Sequence, residues 1–176
     1  MNIEIKQIDI NDDEQIRSIA RWENDKDLYH LIVPVRDKNN PEINTFDSLK
    51  KRYTENPEYS SGIYIIFDSE KPIGSFSLQI DPNHLMKKVK GTSWLGLTIG
   101  EKEYWGTGVA KMAMEYFEKE SRRLGANRIE LGTFEFNYRA QAFYKKLGFV
   151  EIGRLNKFTY WDGKYWDDIR MEKYLL

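Results

Sequence analysis

Residues 95–110 read LGLTIGEKEYWGTGVA, and the fold turns on how that run divides. Leu95, Leu97 and Ile99 stay in phase at every second position, the period of a strand. EKEYW at 101–105 is a short polar loop. GTGVA at 106–110 opens a helix for which Val109, Met112, Ala113, Tyr116, Phe117 and Leu124 predict one buried stripe. Glycines 106 and 108 let the backbone turn sharply and approach a ligand closely, because no Cβ intervenes. The first amides of such a helix have no partner within it, and the helix dipole adds partial positive charge there. A strand–loop–helix corner of this kind suits an anion such as a pyrophosphate. By itself Gly-x-Gly is equally consistent with a tight turn that binds nothing. It is not a P-loop, since no Gly-Lys-Ser/Thr follows, and the third glycine of a dinucleotide fingerprint is missing.

Working outward, 128–134 predicts a strand through Ile129, Leu131 and Thr133. A shorter helix comes next, carrying Ala140, Phe143, Tyr144 and Leu147, and Gly148 closes it. Two further strands flank Asp162-Gly163, a strong hairpin signal. Upstream of the corner, GIYIIF at 62–67 reads as a strand buried on both faces, and 72–80 alternates Phe76, Leu78 and Ile80 against polar residues. TSWLGLTI at 92–99 completes the corner's own strand. Near the start, Ile3 and Ile5 mark a strand. NDDE at 11–14 predicts a capping box with Asn11 as the cap, leading a helix with Ile16, Ile19 and Ala20 on one face. The stretch 23–44 is polar and contains Pro34 and Pro41, so it reads as a loop with a short helical piece. Thr45 caps a second helix bearing Phe46, Leu49 and Tyr53, which Pro57 ends.

The predicted order is β-α-α-β-β-β-α-β-α-β-β, an α/β chain with a mixed sheet and helices on its faces. A length of 176 residues fits one domain over 1–176. Apolar residues at 40 % and aromatics at 14 % are enough for a proper core. Charged residues balance to a formal −1, which argues against a dedicated nucleic-acid binder. There is no cysteine, so disulfides, thiolate metal sites and a cysteine nucleophile are excluded. His30 and His84 have no metal-like spacing, and no metal is expected. Neither a signal peptide nor a membrane-spanning run is read, and a cytoplasmic location is expected.

Two segments together resemble a known family. Trp105-Gly106-Thr107-Gly108-Val109-Ala110 is similar to the acetyl-CoA loop of the Gcn5-related N-acetyltransferases (GNAT), Gln/Arg-x-x-Gly-x-Gly/Ala. NYRAQAFYKKLGF at 137–149 is similar to that family's second motif, Asn-x-x-Ala-x-x-x-Tyr with a trailing Leu-Gly-Phe. Both occur in the family's order, separated by one helix and one strand. The likeness is close over 92–175, with the acetyl-CoA-binding core at about 92–150. Tyr-Trp-Gly at 104–106 resembles the branch that includes ribosomal-protein N-terminal and polyamine acetyltransferases. Trp105 departs from the family's Gln or Arg.

The resemblance implies a GNAT-like acyl-CoA N-acyltransferase fold and acetyl-CoA as co-substrate. It implies transfer to a primary amine, either a small polyamine or metabolite amine or a protein N-terminus, by direct attack in a ternary complex. It places backbone contacts to the cofactor at Leu97, Thr98 and Ile99, beside a splay at a bulge that Gly96 would permit. Further cofactor contacts fall on Trp105, Gly106, Thr107, Gly108, Val109, Ala110, Asn137 and Tyr144. Tyr144 is carried over as the general acid for the departing sulfur, although it also lies on an apolar stripe. The family can place a glutamate five residues before Asn137; here that position is Gly132, with Glu130 and Glu135 nearest. Acceptor recognition falls on the early helices and the last hairpin, with Trp22, Glu23, Asp25 and Trp161 as candidates. Carboxylates beside aromatics suit a cationic amine, and they equally suit an ordinary solvated surface. A homodimer is the assembly to test, with neither nucleic acid nor membrane as partner. The competing reading keeps the fold and uses acyl-CoA binding for sensing or interaction.

Overall fold

A computed structural model describes residues 1–176. Seven strands form one mixed sheet in the order β1-β2-β3-β4-β5-β7-β6. They are β1 (Ile3–Gln7), β2 (Ile63–Asp68), β3 (Lys71–Ile80), β4 (Thr92–Ile99), β5 (Arg128–Phe134), β6 (Val150–Trp161) and β7 (Lys164–Tyr174). Every neighbouring pair is antiparallel except β4 and β5. The helices are α1 (Asp13–Asn24), α2 (Tyr29–Ile32), α3 (Phe46–Glu55), α4 (Pro57–Ser60), α5 (Val109–Arg123) and α6 (Tyr138–Lys146). Two of these, α2 and α4, are single turns; the longer elements follow the order read from the sequence.

Alternation along the strands divides the core in two. On β2, Tyr64 and Ile66 join a cluster with Phe117, Leu131 and Tyr144 on the α5–α6 side. Ile63 and Ile65, one residue out of phase, join Ile16, Ile19, Leu49 and Tyr53 on the α1–α3 side. The sheet is therefore covered on both faces, as the unbroken apolar run at 63–67 requires.

Several local expectations are corrected. The cap of α1 is Asp12, whose carboxylate accepts the Glu14 amide, while the Asn11 amide is committed to Asp9. In α5 the buried residues are Val109, Ala113, Met114, Phe117 and Ser121; Met112 and Leu124 are more than 40 % exposed. The helix advances 100° per residue, so Met112 falls off the face that Ala113 and Phe117 share. The polar stretch 23–44 is tied down as well as looped. Leu28, Val33 and Val35 are buried, and the Val35 carbonyl accepts the Tyr160 amide.

The two-residue Asp162-Gly163 turn joins β6 and β7 as predicted, with φ of 46° and 85°. Most consequential is β4. Its register with β3 runs unbroken from Ser93 to Ile99, so no bulge forms at Gly96. The opening arises on the other edge, where β5 pairs only with Thr92 to Leu95. Beyond Leu95 the two strands part, leaving a gap through the sheet.

Candidate active site

Two cavities meet at that gap. One, of about 500 Å³, lies on the α5–α6 side and is lined by Leu97, Thr98, Ile99, Trp105, Gly106, Gly108, Ala110, Asn137 and Tyr144, with Lys111, Arg139 and Lys146 at its polar rim. The other, of about 250 Å³, lies toward α1 and α3, where Glu23 and Tyr53 form its walls and Ser75, Ser77, Gly96 and Thr98 its floor. Leu31, Ile32, Leu97, Thr98, Asn137, Ala140 and Tyr144 line both. Two ligands can therefore approach Tyr144 from opposite faces of the sheet.

The larger cavity fits a phosphate-bearing ligand. Gly106 and Gly108 have φ of 77° and 96°, the left-handed region that glycine enters without strain. A Cβ at either would meet nothing within 4 Å, so the space beside them is open. Gly108 is the cap of α5 and no side chain bonds its first amides; with the dipole, they present positive charge to that space. Lys111, Arg139 and Lys146 add cations at the rim. Trp105 closes the corner where the resembled loop carries Gln or Arg. Its indole N–H donates to the Ile99 carbonyl at 2.8 Å, and the Arg139 guanidinium sits 3.6 Å from its ring centroid. Thr107 turns its hydroxyl back to the Tyr104 carbonyl, and Val109 is fully buried beneath the corner.

Asn137 caps α6 by accepting the Ala140 amide at 3.2 Å, which fixes the helix that carries Tyr144. Tyr144 is only 7 % exposed, and burial alone pushes its hydroxyl well above the ordinary tyrosine range. It is a phenol that keeps its proton at any physiological pH, open to both cavities.

The acids of β5 and the loop after it are committed elsewhere. Glu130 is fully buried; it accepts from Arg128 at 2.7 Å and from the Met86 amide at 2.6 Å. Glu135 accepts from Arg154 and from the Asp167 amide. Above Gly132 the space is filled by the Asp168 carboxylate of β7, 2.5 Å from where a Cβ would stand, and that carboxylate pairs with Arg170.

Of the four acceptor-side candidates, only Glu23 lines either of these two cavities. Trp22 is 1 % exposed and donates its indole N–H to Glu101. Asp25 caps the turn after α1 by accepting the Asp27 amide, with Lys102 beside it. Trp161 stacks on His30, with centroids 4.6 Å apart, and packs at a tilt against Phe136, with centroids 4.4 Å apart. Sequence reasoning missed Ser75 and Ser77, whose polar phase in an alternating strand reads as solvent-facing. It becomes the cleft floor because α1 and α3 cover that face. Arg139 and Lys146 were legible in principle, since both flank Tyr144 on the motif helix.

Comparison with solved structures places this geometry in context. The Salmonella typhimurium protein yncA, with its cofactor acetyl-CoA, superposes with a TM-score of 0.77 at 16 % identity, over 100 % of this chain and 95 % of that one. Spermidine N-acetyltransferase from Vibrio cholerae, in complex with CoA and spermine, gives 0.76 at 20 % identity, over 98 % and 95 %. The NatC complex bound to Gag peptide and CoA gives 0.68 at 22 % identity, over all of both chains. At these identities the likeness establishes the fold. No match is found among curated protein sequences. The sequence model of the Acetyltransferase (GNAT) family, however, matches residues 16–149, three quarters of the chain. The chain belongs to the GNAT acetyltransferase family and is an acetyl-CoA-dependent N-acetyltransferase.

Proposed function

We propose that residues 1–176 form one catalytic unit that transfers the acetyl group directly to a primary amine while both substrates are bound. The observation that carries this is the pair of cavities joined at the β4–β5 gap with Tyr144 on the wall of each. Acetyl-CoA supplies the activated thioester. The α5 amides, Lys111, Arg139 and Lys146 bind its anionic end, and the backbone of 97–99, free of β5, orients its amide-bearing arm. Asn137 holds α6 in place. Tyr144 keeps a proton at its hydroxyl for the departing sulfur, and its burial ensures that the proton is present. The acceptor enters from the α1–α3 side, past Glu23, and sheds its own proton to cleft water, since Glu130 and Glu135 are engaged elsewhere.

A small amine and a protein N-terminus are the two acceptor classes; the Vibrio cholerae enzyme is bound to spermine and NatC to a Gag peptide. The competing reading is a weakly catalytic acyl-CoA-binding protein, which the engaged acids favour. Initial-rate kinetics by free-thiol release, over a panel of amines and N-terminal peptides, separates these. Intersecting double-reciprocal lines with at least one acceptor support direct transfer. Parallel lines contradict it, and an absence of turnover with acetyl-CoA bound leaves the sensor reading.

A further inference from the structure

The smaller cavity extends well beyond the point of transfer. Its floor runs from Ile63 on β2, across Ser77 on β3 and Gly96 on β4, to the gap before Gly132 on β5. At about 4.8 Å per strand, its β2 end stands roughly 10 Å from the gap where the transferring amine must sit. Glu23 belongs to that far end, in company with Tyr53 and Tyr59.

Its carboxyl is in an unusual state. Oε2 is buried without any hydrogen-bond partner, one of three such side-chain atoms in the protein. The cation that acts on it, Arg52, is spent on Glu42 at 3.3 Å and on the Asn44 side-chain oxygen at 2.8 Å. A buried carboxylate oxygen left unpaired costs free energy, so it calls for a donor from the ligand. Serine and threonine hydroxyls at 75, 77 and 98 line the path between this oxygen and the gap.

We propose that Glu23 is a subsite for a second ammonium group, so that the preferred acceptor is an extended diamine whose far nitrogen rests on this carboxylate while the near one is acetylated. This rests on the acetyltransferase reading above. The chemistry agrees in sign. Burial raises the Glu23 carboxyl above the ordinary glutamate range, Asn44 and Arg52 act against burial, and Glu42 adds to it. An arriving ammonium lowers it again and fixes the charge.

The test compares α,ω-diamines of increasing length with alkyl monoamines of equal length, as kcat/KM from free-thiol release. Diamines long enough to span the floor should exceed the matched monoamines by about tenfold or more, as a charge-assisted hydrogen bond implies. Diamines too short to span it should show no such advantage. In E23Q that ratio should fall to near one, with acetyl-CoA binding by calorimetry showing that the variant is folded. Equal rates for long diamines and monoamines in the unaltered enzyme overturn the subsite, as does an E23Q variant that keeps the ratio. Peptide N-termini outperforming every diamine overturn it too. Failure of every amine to react overturns the acetyltransferase reading itself.

Discussion

The indole of Trp22 lies flat against Gly100, leaving no room for even a Cβ at that position. This contact fastens the end of α1 to the point where β4 becomes the loop of the anion site, and the Trp22–Glu101 hydrogen bond at 2.9 Å completes it. G100A should therefore be severe, since the obstruction is a rigid buried ring. A loss of about 3 kcal/mol or more is expected by chemical denaturation. A loss under about 1 kcal/mol would mean that the indole slides away freely.

Gly106 offers a contrast, because the space beside it is open. Its φ of 77° makes G106A strained by about 1 kcal/mol. The added methyl also projects into the open space proposed above for the anionic end of acetyl-CoA. Acetyl-CoA affinity should fall at least about tenfold while the melting temperature drops by only a few degrees. An affinity unchanged within twofold would remove the corner from the cofactor site.

These two glycines mark what the sequence could and could not show. Gly106 was legible because Gly-x-Gly before a helix has a local meaning, and 137–149 gave it a partner motif. The strands at 92–99 and 128–134 were legible from period-two alternation alone. The role of Trp22 was not, because a tryptophan near acidic residues looks the same whether it packs on a distant glycine or meets a substrate. Gly96 misled for a related reason. The chain opens at the sheet by losing a partner on β5, and no single residue encodes the end of a pairing. Glu23 was named from its acidic and aromatic company; what sets it apart from Asp25 depends on α3 and the sheet closing around it.

At the end of β5 away from the gap, Arg128 is fully buried and donates to Glu130 and Glu172, each at 2.7 Å. Replacing Arg128 by Met takes the shared cation from two buried carboxylates, leaving Glu172 to Lys87 alone and Glu130 to Arg170 at 3.6 Å and two backbone amides. A destabilisation of about 3–5 kcal/mol is expected. The variant should also loosen residues 81–91, whose Met86 amide is held by Glu130, and faster hydrogen exchange there would report it.

Acid should weaken the same cluster. Burial acts to raise the Glu172 carboxyl, but hydrogen bonds from Lys87 and Arg128 outweigh it, so the net shift is downward. A folded-state value below the unfolded one of about 4.3 means that its contribution is complete above that pH. It is lost as pH falls through the lower folded value. E172Q should thus be markedly less stable than the unaltered protein at pH 7, with the difference shrinking below about pH 4. A difference independent of pH would contradict this assignment.

The central claim is that Tyr144, reached from both cavities, protonates the departing sulfur. Y144F removes that proton and little else, since the ring stays packed against Phe143 and Phe149. Free-thiol release at saturating acetyl-CoA, alongside the calorimetric affinity for acetyl-CoA, tests it most directly. The predicted result is a fall in kcat of about 100-fold or more with affinity unchanged within threefold. Turnover retained within about twofold would show that Tyr144 is a core tyrosine and that the proton comes from elsewhere.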